Sequence, residues 1–141
     1  MRRTGGKVLK NIMAVPFPIS LLTTNLIIKM AKETINYSDF EKLDIRVGRV
    51  TNAKSPEWSE KLLEFEVDFG AEIGKRTIFA GVKKYYNPEF FKGRLYTFIV
   101  NLAEKKMGQG ISQGMMLMVD DPEKPFPIEI IDPVTEGSVI L

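Results

Sequence analysis

Basic and aromatic residues adjoin at positions 83–86, where Lys83 and Lys84 are followed directly by Tyr85 and Tyr86. Lysine neutralises phosphate and an aromatic ring stacks on a base, so this combination is typical of proteins that bind single-stranded or looped nucleic acid. A second basic pair, Lys105-Lys106, lies in a predicted loop between strands. Any such pair taken alone is more often ordinary charge exposed to solvent. The prediction of a nucleic-acid surface therefore depends on several basic residues that form local patches.

Polar side chains stand where two later strands are predicted to meet. Asn101 ends one strand, and Ser112 and Gln113 open the next, with Met115 close behind them. Amides and hydroxyls at strand ends bind phosphate and ribose or read base edges, so these residues are candidates for an RNA-binding rim. The alternative is that they cap the backbone of their own loop.

The residue types that most catalytic and metal sites need are missing. The chain contains no His and no Cys, which removes the usual zinc ligands and the central residues of Ser-His-Asp and Cys-His catalysis. Asp120-Asp121 is interpreted as a loop opening before Pro122. The glycines of 108–114 lack the third glycine of a dinucleotide fingerprint and the Gly-Lys-Ser/Thr ending of a phosphate loop. We therefore predict no enzyme activity, no metal and no cofactor.

Charge and hydropathy divide the chain near residue 34. Residues 1–32 carry six basic residues and no acid, whereas residues 33–141 carry 14 basic and 18 acidic residues, a net charge of −4. The apolar run within 12–30 is interrupted at Pro16, Pro18 and residues 23–25, so it is not predicted to span a membrane. We predict an N-terminal extension, 1–34, followed by one folded domain, 35–141, with Met1 or Met30 as the start.

Alternating hydropathy predicts a series of short strands in the folded domain. The main strands are 43–53, 61–69, 76–82, 94–102 and 114–120, with weaker ones at 128–131 and near 138–141. A capping box at Ser38–Glu41 predicts a helical turn, and Asn87-Pro88 begins a short helix that ends at Gly93. Five strands with a helix between the third and fourth are typical of an all-β, five-stranded OB-fold barrel, here with extra C-terminal strands. A Src-homology-3-like barrel or a small sandwich has a similar strand count.

Several stretches resemble the tRNA-binding domain of methionyl-tRNA synthetases, found at their C-terminus or as a free-standing β chain. They are DFEKLDIRVGRV (39–50), SEKL (59–62), EVDFG (66–70), FAGVKKYYNPE (79–89), VNL (100–102) and ISQGM (111–115). The resemblance implies a non-catalytic, cytoplasmic OB-fold module that recognises the outer corner of tRNA by shape, with a synthetase catalytic subunit as a possible partner. It implies contact of Lys61 with the RNA backbone, and a recognition rim formed by Asn101 and residues 112–115, whose glycines let the loop approach RNA. Lys61, Lys83, Lys84, Lys105 and Lys106 are predicted to neutralise phosphates.

The same stretches also resemble a related family, the CsaA-type export chaperones, which implies binding of unfolded polypeptides as an alternative function. The methionines at 115, 116 and 118 suit that alternative, because Met adapts to varied apolar partners. The resemblance further implies a homodimer. We predict that residues 12–30 pack near its two-fold axis, with Phe17, Leu21, Leu22 and Ile27 buried.

Overall fold

A computed structural model describes residues 30–141, and the domain within it extends from Asn36 to Leu141. The predicted N-terminal extension and the dimer contacts assigned to Phe17, Leu21, Leu22 and Ile27 lie almost wholly outside the described residues. No helix among residues 30–141 is long and apolar enough to cross a membrane. The boundary predicted at residue 34 therefore remains a prediction.

The domain consists of short strands with brief helical turns. The strands are β1 (Ile45–Lys54), β2 (Leu63–Asp68), β3 (Lys75–Ala80), β4 (Leu95–Ile99), β5 (Lys105–Met107), β6 (Gly110–Ser112), β7 (Met115–Met116), β8 (Met118–Asp120), β9 (Pro125–Pro127) and β10 (Glu129–Ile130). The helices are α1 (Tyr37–Phe40), α2 (Gly70–Ile73) and a 3-10 turn at Pro88–Phe90. The all-β prediction is confirmed, although the predicted fifth strand is divided into β7 and β8 at Leu117, whose N–H donates to Thr97 O at 2.9 Å.

The helical turns follow local capping chemistry. Asn87 accepts a hydrogen bond from Glu89 N through its side chain, and Pro88 occupies the first helical position, as the sequence predicted. The capping box predicted at Ser38–Glu41 is displaced, because α1 begins at Tyr37 with Asn36 as its N-cap and without a side-chain capping bond. The α2 turn was not predicted from the sequence.

One antiparallel sheet organises the domain, with the order β10-β4-β1-β2-β3 and β7 also paired to β4. The long strand β1 pairs with two neighbours along its length. Residues Ile45–Arg49 pair with β4, and Arg49–Lys54 pair with β2. A register shift between Val50 and Asn52 bends β1 between these halves. Gly48 lies before this bend, in the half of β1 that pairs with β4. At Gly48 an added Cβ would lie 2.6 Å from the Phe69 ring, which explains the glycine by close packing.

The core lies inside the bent sheet. Its largest fully buried side chains are aromatic: Phe65, Phe69, Phe91, Tyr96 and Phe98. Alternate residues of β2 contribute to it, which matches the period-two pattern of the sequence. The β4 strand is buried along its whole length, and other strands pair on both of its edges.

Side chains bridge a gap at the edge of the sheet where backbone pairing stops. The free edge of β3 faces the segment that joins β6 to β7, and no ladder connects them. Phe79 N donates to Ser112 Oγ at 3.0 Å, and Thr77 N donates to Gln113 Oε1 at 2.9 Å. In addition, Gln113 N donates a backbone hydrogen bond to Thr77 O at 2.8 Å. We call these contacts the barrel seam, and they satisfy an edge that would otherwise be open.

Candidate nucleic-acid interface

The loop between β1 and β2 is held in a defined conformation. Ser59 Oγ accepts hydrogen bonds from Lys61 N at 3.2 Å and Leu62 N at 3.0 Å. Lys83 crosses from the segment after β3, and its ammonium donates to the carbonyls of Pro56 and Ser59. The predicted RNA-binding residue Lys83 thus uses its charge within the chain, where it positions the loop that precedes Lys61.

The β5–β6 hairpin packs against the same loop through an aromatic pair. The rings of Trp58 and Phe79 lie with their centroids 5.8 Å apart. At the hairpin tip, a Cβ on Gly108 would lie 2.3 Å from the Trp58 ring, and a Cβ on Gly110 would lie 2.3 Å from the Phe79 ring. The two glycines let the hairpin lie flat on these rings. These glycines bring the hairpin backbone close to aromatic side chains of the domain itself. The resemblance had implied that the glycines bring the loop close to RNA.

Four exposed lysines surround this junction, and we call them the lysine rim: Lys61, Lys84, Lys105 and Lys106. Lys83 N donates to Lys61 O at 3.0 Å, which places Lys84 next to the start of β2. Lys106 pairs with Ile111 across the hairpin, so the two side chains share a face. None of the four ammonium groups has an ion-pair partner among the described residues.

Most other cations of the domain are engaged elsewhere. Arg46, Arg49, Lys54, Lys92 and Arg94 each form an ion pair with a carboxylate. The hydrogen bonds that the Arg46 guanidinium donates to Asp44, and then the bond to Glu72, raise its pKa. Because paired charges are largely neutralised, the positive charge available to a phosphate backbone is concentrated on unpaired lysines.

Three of the four residues of the predicted RNA-binding rim form hydrogen bonds with the backbone of the domain. Asn101 accepts from Asp44 N at 2.8 Å and donates to Lys42 O at 2.6 Å, so its amide clamps the end of β4 to the start of β1. Ser112 is 4% exposed and, with Gln113, forms the barrel seam. Met115 differs, since 45% of it is exposed. The side chains of Asn101, Ser112 and Gln113 bind backbone groups of distant segments, which differs from the capping of their own loop considered as the alternative. Their contact with RNA stays a prediction.

An open groove of about 430 Å³ lies between the loop and the hairpin. It is lined by Trp58, Glu64, Thr77, Phe79, Glu104, Gln109, Gly110, Ile111 and Gln113. We call it the tryptophan groove. Sequence reasoning did not include Trp58, Glu104 or Gln109 among the site residues. The available signal was Trp58, a large ring in an otherwise polar loop and the only tryptophan of the chain.

The titratable residues that line the tryptophan groove, within residues 30–141, are the carboxylates Glu64 and Glu104. Among residues 30–141 no group of three or more His, Cys, Asp or Glu residues is placed to hold a metal ion. The titratable groups with clearly shifted pKa values, such as the buried Tyr96, whose pKa burial raises to about 12, lie away from the tryptophan groove. What the surface offers is unpaired cations beside an aromatic groove, which are the components of a nucleic-acid interface.

Comparison with known proteins decides the family. The model of the putative tRNA-binding domain matches residues 45–139, which include the β1–β2 loop, the hairpin and the barrel seam. The chain belongs to the tRNA-binding domain family. Within this family it is 45% identical over 91 residues to the methionine–tRNA ligase of Thiobacillus denitrificans, an alignment that covers 64% of this chain and 13% of the ligase. The match is to a non-catalytic part of that enzyme, and the tRNA-binding domain spans only a small fraction of its length.

Solved structures show the same fold. A methionyl-tRNA synthetase-related protein from Pyrococcus horikoshii is 32% identical, with a TM-score of 0.73, and the match covers 78% of this chain and all of that one. The chaperone CsaA from Bacillus anthracis is 28% identical, with a TM-score of 0.69, covering 77% of this chain and all of that one. The predicted OB-like fold and the predicted family are therefore confirmed, and both resemblances recognised in the sequence recur among the structural neighbours.

Proposed function

We propose that this chain is a non-catalytic module that binds tRNA by shape, with the lysine rim as its main contact to the RNA backbone. The single observation that carries the proposal is the match of the family model to residues 45–139, the part of the chain that includes all four unpaired lysines of the rim. Lys61, Lys84, Lys105 and Lys106 contact phosphates, Met115 provides an apolar contact, and Lys83, Asn101, Ser112 and Gln113 hold the surface in place.

Salt dependence tests this assignment. Removing one phosphate-contacting lysine lowers the slope of log K against log salt by somewhat under one unit. We expect that reduction for Lys106→Ala when total tRNA is titrated at several salt concentrations. Lys75→Ala is the matched control. Lys75 is also exposed and has no ion-pair partner within the described part of the chain, but it lies at the other end of the β2–β3 ladder from Leu63 and Ala80. Equal slopes for the wild-type protein and Lys106→Ala would contradict the proposed contact.

The proposed partners follow from the relatives. The ligase in which the similar segment occurs is a methionine–tRNA ligase, so we propose that this module assists a methionyl-tRNA synthetase catalytic subunit in the cytoplasm.

We also propose a homodimer, because apolar side chains stand exposed near the C-terminal end of the described residues, with Ile131 88% and Leu141 98% exposed. Light scattering tests the dimer, and Ile131→Lys is expected to lower the molar mass toward that of a monomer.

A second candidate function is binding of unfolded polypeptide. One observation favours it specifically: Met115, Met116 and Met118 line an apolar groove of about 350 Å³ with Phe79, Ala80, Gly81 and Leu117. The likeness to the CsaA chaperone agrees with it. Binding that is insensitive to salt and increases with the apolar content of a peptide ligand would favour this function over tRNA binding.

A further inference from the structure

The tryptophan groove contains polar groups that the fold does not use. The Gln109 amide lies at the hairpin tip and forms no hydrogen bond with any described residue. Glu104 accepts one bond, from Gln113 Nε2 at 3.3 Å, which leaves most of the acceptor capacity of its carboxylate free. Because Gln113 is itself fixed by the barrel seam, it orients the Glu104 carboxylate within the groove.

The charge of the groove selects against phosphate. Among the described residues its lining includes Glu64 and Glu104 and no cation. Glu64 lies 3.8 Å from the Lys54 ammonium, so Glu104 is the carboxylate without an ion-pair partner among the residues that the structure describes. A phosphate would be repelled here, whereas a neutral group with N–H donors would be bound. Lys106 lies on the face of the hairpin that carries Ile111, at the edge of the groove, where a phosphate attached to such a group would be neutralised.

We propose that the tryptophan groove binds one unpaired nucleobase with adjacent N–H donors, and guanine above the others. The base stacks on Trp58, its N–H groups donate to Glu104, and its O6 accepts from the Gln109 amide. The groove is prepared for this ligand, since Phe79 and the Gly108 backbone fix the Trp58 ring before any ligand is bound. This proposal rests on the proposed tRNA-binding function and adds base selection to recognition by shape.

The test uses four ribonucleotide pentamers with the same number of phosphates: UUGUU, UUAUU, UUCUU and UUUUU. Because Trp58 is the only tryptophan, its fluorescence reports stacking in the groove directly. We expect UUGUU to quench the emission and to bind about tenfold more tightly than UUUUU, since a well-placed pair of base contacts discriminates by roughly 5-fold to 150-fold. The Glu104→Gln variant keeps an acceptor for Gln113 but is expected to reduce the preference to near unity.

Glu123→Gln is the matched control, because it removes the same charge from an exposed turn outside the groove and is expected to leave the preference unchanged. Titration of wild-type protein with total tRNA runs in parallel. Binding of tRNA together with equal binding of all four pentamers and unchanged emission would overturn the base pocket alone. Absence of tRNA binding would overturn the proposed function itself. Stronger quenching by an arginine-containing peptide than by UUGUU would assign the groove to a basic protein side chain and also overturn the base pocket.

Discussion

At the scale of single residues, glycines at the hairpin tip determine how close two aromatic rings can lie to the backbone. Gly108 has a φ of +63°, a left-handed conformation that side chains disfavour. Its position over Trp58 adds a second constraint, because there is no space for a Cβ. The conformational and steric requirements therefore coincide at one residue, and the orientation of the Trp58 ring depends on both.

Replacement of Gly108 by Ala separates the two requirements when it is compared with Gly93→Ala. Gly93 has a φ of +82°, but no atom of residues 30–141 lies within 4 Å of the position that a Cβ would take, so its replacement introduces backbone strain without a clash in that part of the chain. We expect Gly93→Ala to lower the free energy of unfolding by about 1–2 kcal/mol, the ordinary left-handed penalty. Gly108→Ala should lower the free energy of unfolding by more than Gly93→Ala does. It should also shift the Trp58 emission to longer wavelength, because the ring must move toward solvent. Chemical denaturation followed by fluorescence measures both, and identical losses would show that the Trp58 contact does not constrain this position.

At the scale of elements, the barrel seam is the least regular connection of the sheet. Backbone ladders join the other strands of the main sheet, but the β3 edge is held mainly by two side chains, Ser112 and Gln113, with one backbone bond from Gln113 N to Thr77 O. Ser112 also donates from its hydroxyl to Gly114 O at 3.0 Å, so one small side chain satisfies two backbone groups. The seam is therefore more sensitive to point substitution than a ladder, in which each bond belongs to the backbone.

We expect Ser112→Ala to lower the free energy of unfolding by about 1–3 kcal/mol, the cost of leaving a buried Phe79 N–H without its acceptor. Hydrogen exchange should localise the effect to the Phe79 amide. Ser38→Ala is the control, since Ser38 is exposed in α1 and its side chain forms no capping bond. An unchanged exchange rate at Phe79 would contradict the role assigned to Ser112.

Sequence patterns predicted elements that repeat a simple period and missed those that depend on distant neighbours. The β2 alternation and the Asn87-Pro88 cap are local and were predicted correctly. The β5–β6 strands and the seam depend on contact with Trp58 and the β3 edge, which no local pattern encodes. For the same reason the sequence indicated Lys83 as a candidate phosphate contact but not that its ammonium is held by the carbonyls of Pro56 and Ser59.

At the scale of the whole molecule, the segment 137–140 is joined to the beginning of β1. Val47 N donates to Ser138 O at 2.9 Å, and Ile140 N donates to Ile45 O at 2.9 Å. An ion pair strengthens the connection, with Arg49 Nε 2.5 Å from Glu136 Oε2. The Arg49 hydrogen bond lowers the pKa of the Glu136 carboxyl below its ordinary value of 4.5. The pair therefore favours the folded state only while Glu136 is ionised.

This shift predicts a pH dependence of the Glu136→Gln variant. A carboxyl whose pKa is lower in the folded state stabilises that state above its unfolded pKa, and the stabilisation is lost as the pH falls through the folded value. We expect Glu136→Gln to be less stable than wild type at pH 7, by under about 1 kcal/mol because the pair is partly solvated. The difference should shrink progressively below pH 4.5. Thermal melts across this range measure it, with Glu123→Gln as a control expected to show no such trend.

The joining of residues 137–140 to β1 also has a consequence for synthesis on the ribosome. The chain emerges from its N-terminal side, so β1 and β2 become available for pairing long before residue 140 has been translated. Until then, one edge of β1 from Ile45 to Val47 has its backbone N–H and C=O groups open to any other extended chain. A nascent chain stalled between residues 100 and 136 should therefore recruit holdase chaperones, and release of residues 137–140 should end that interaction.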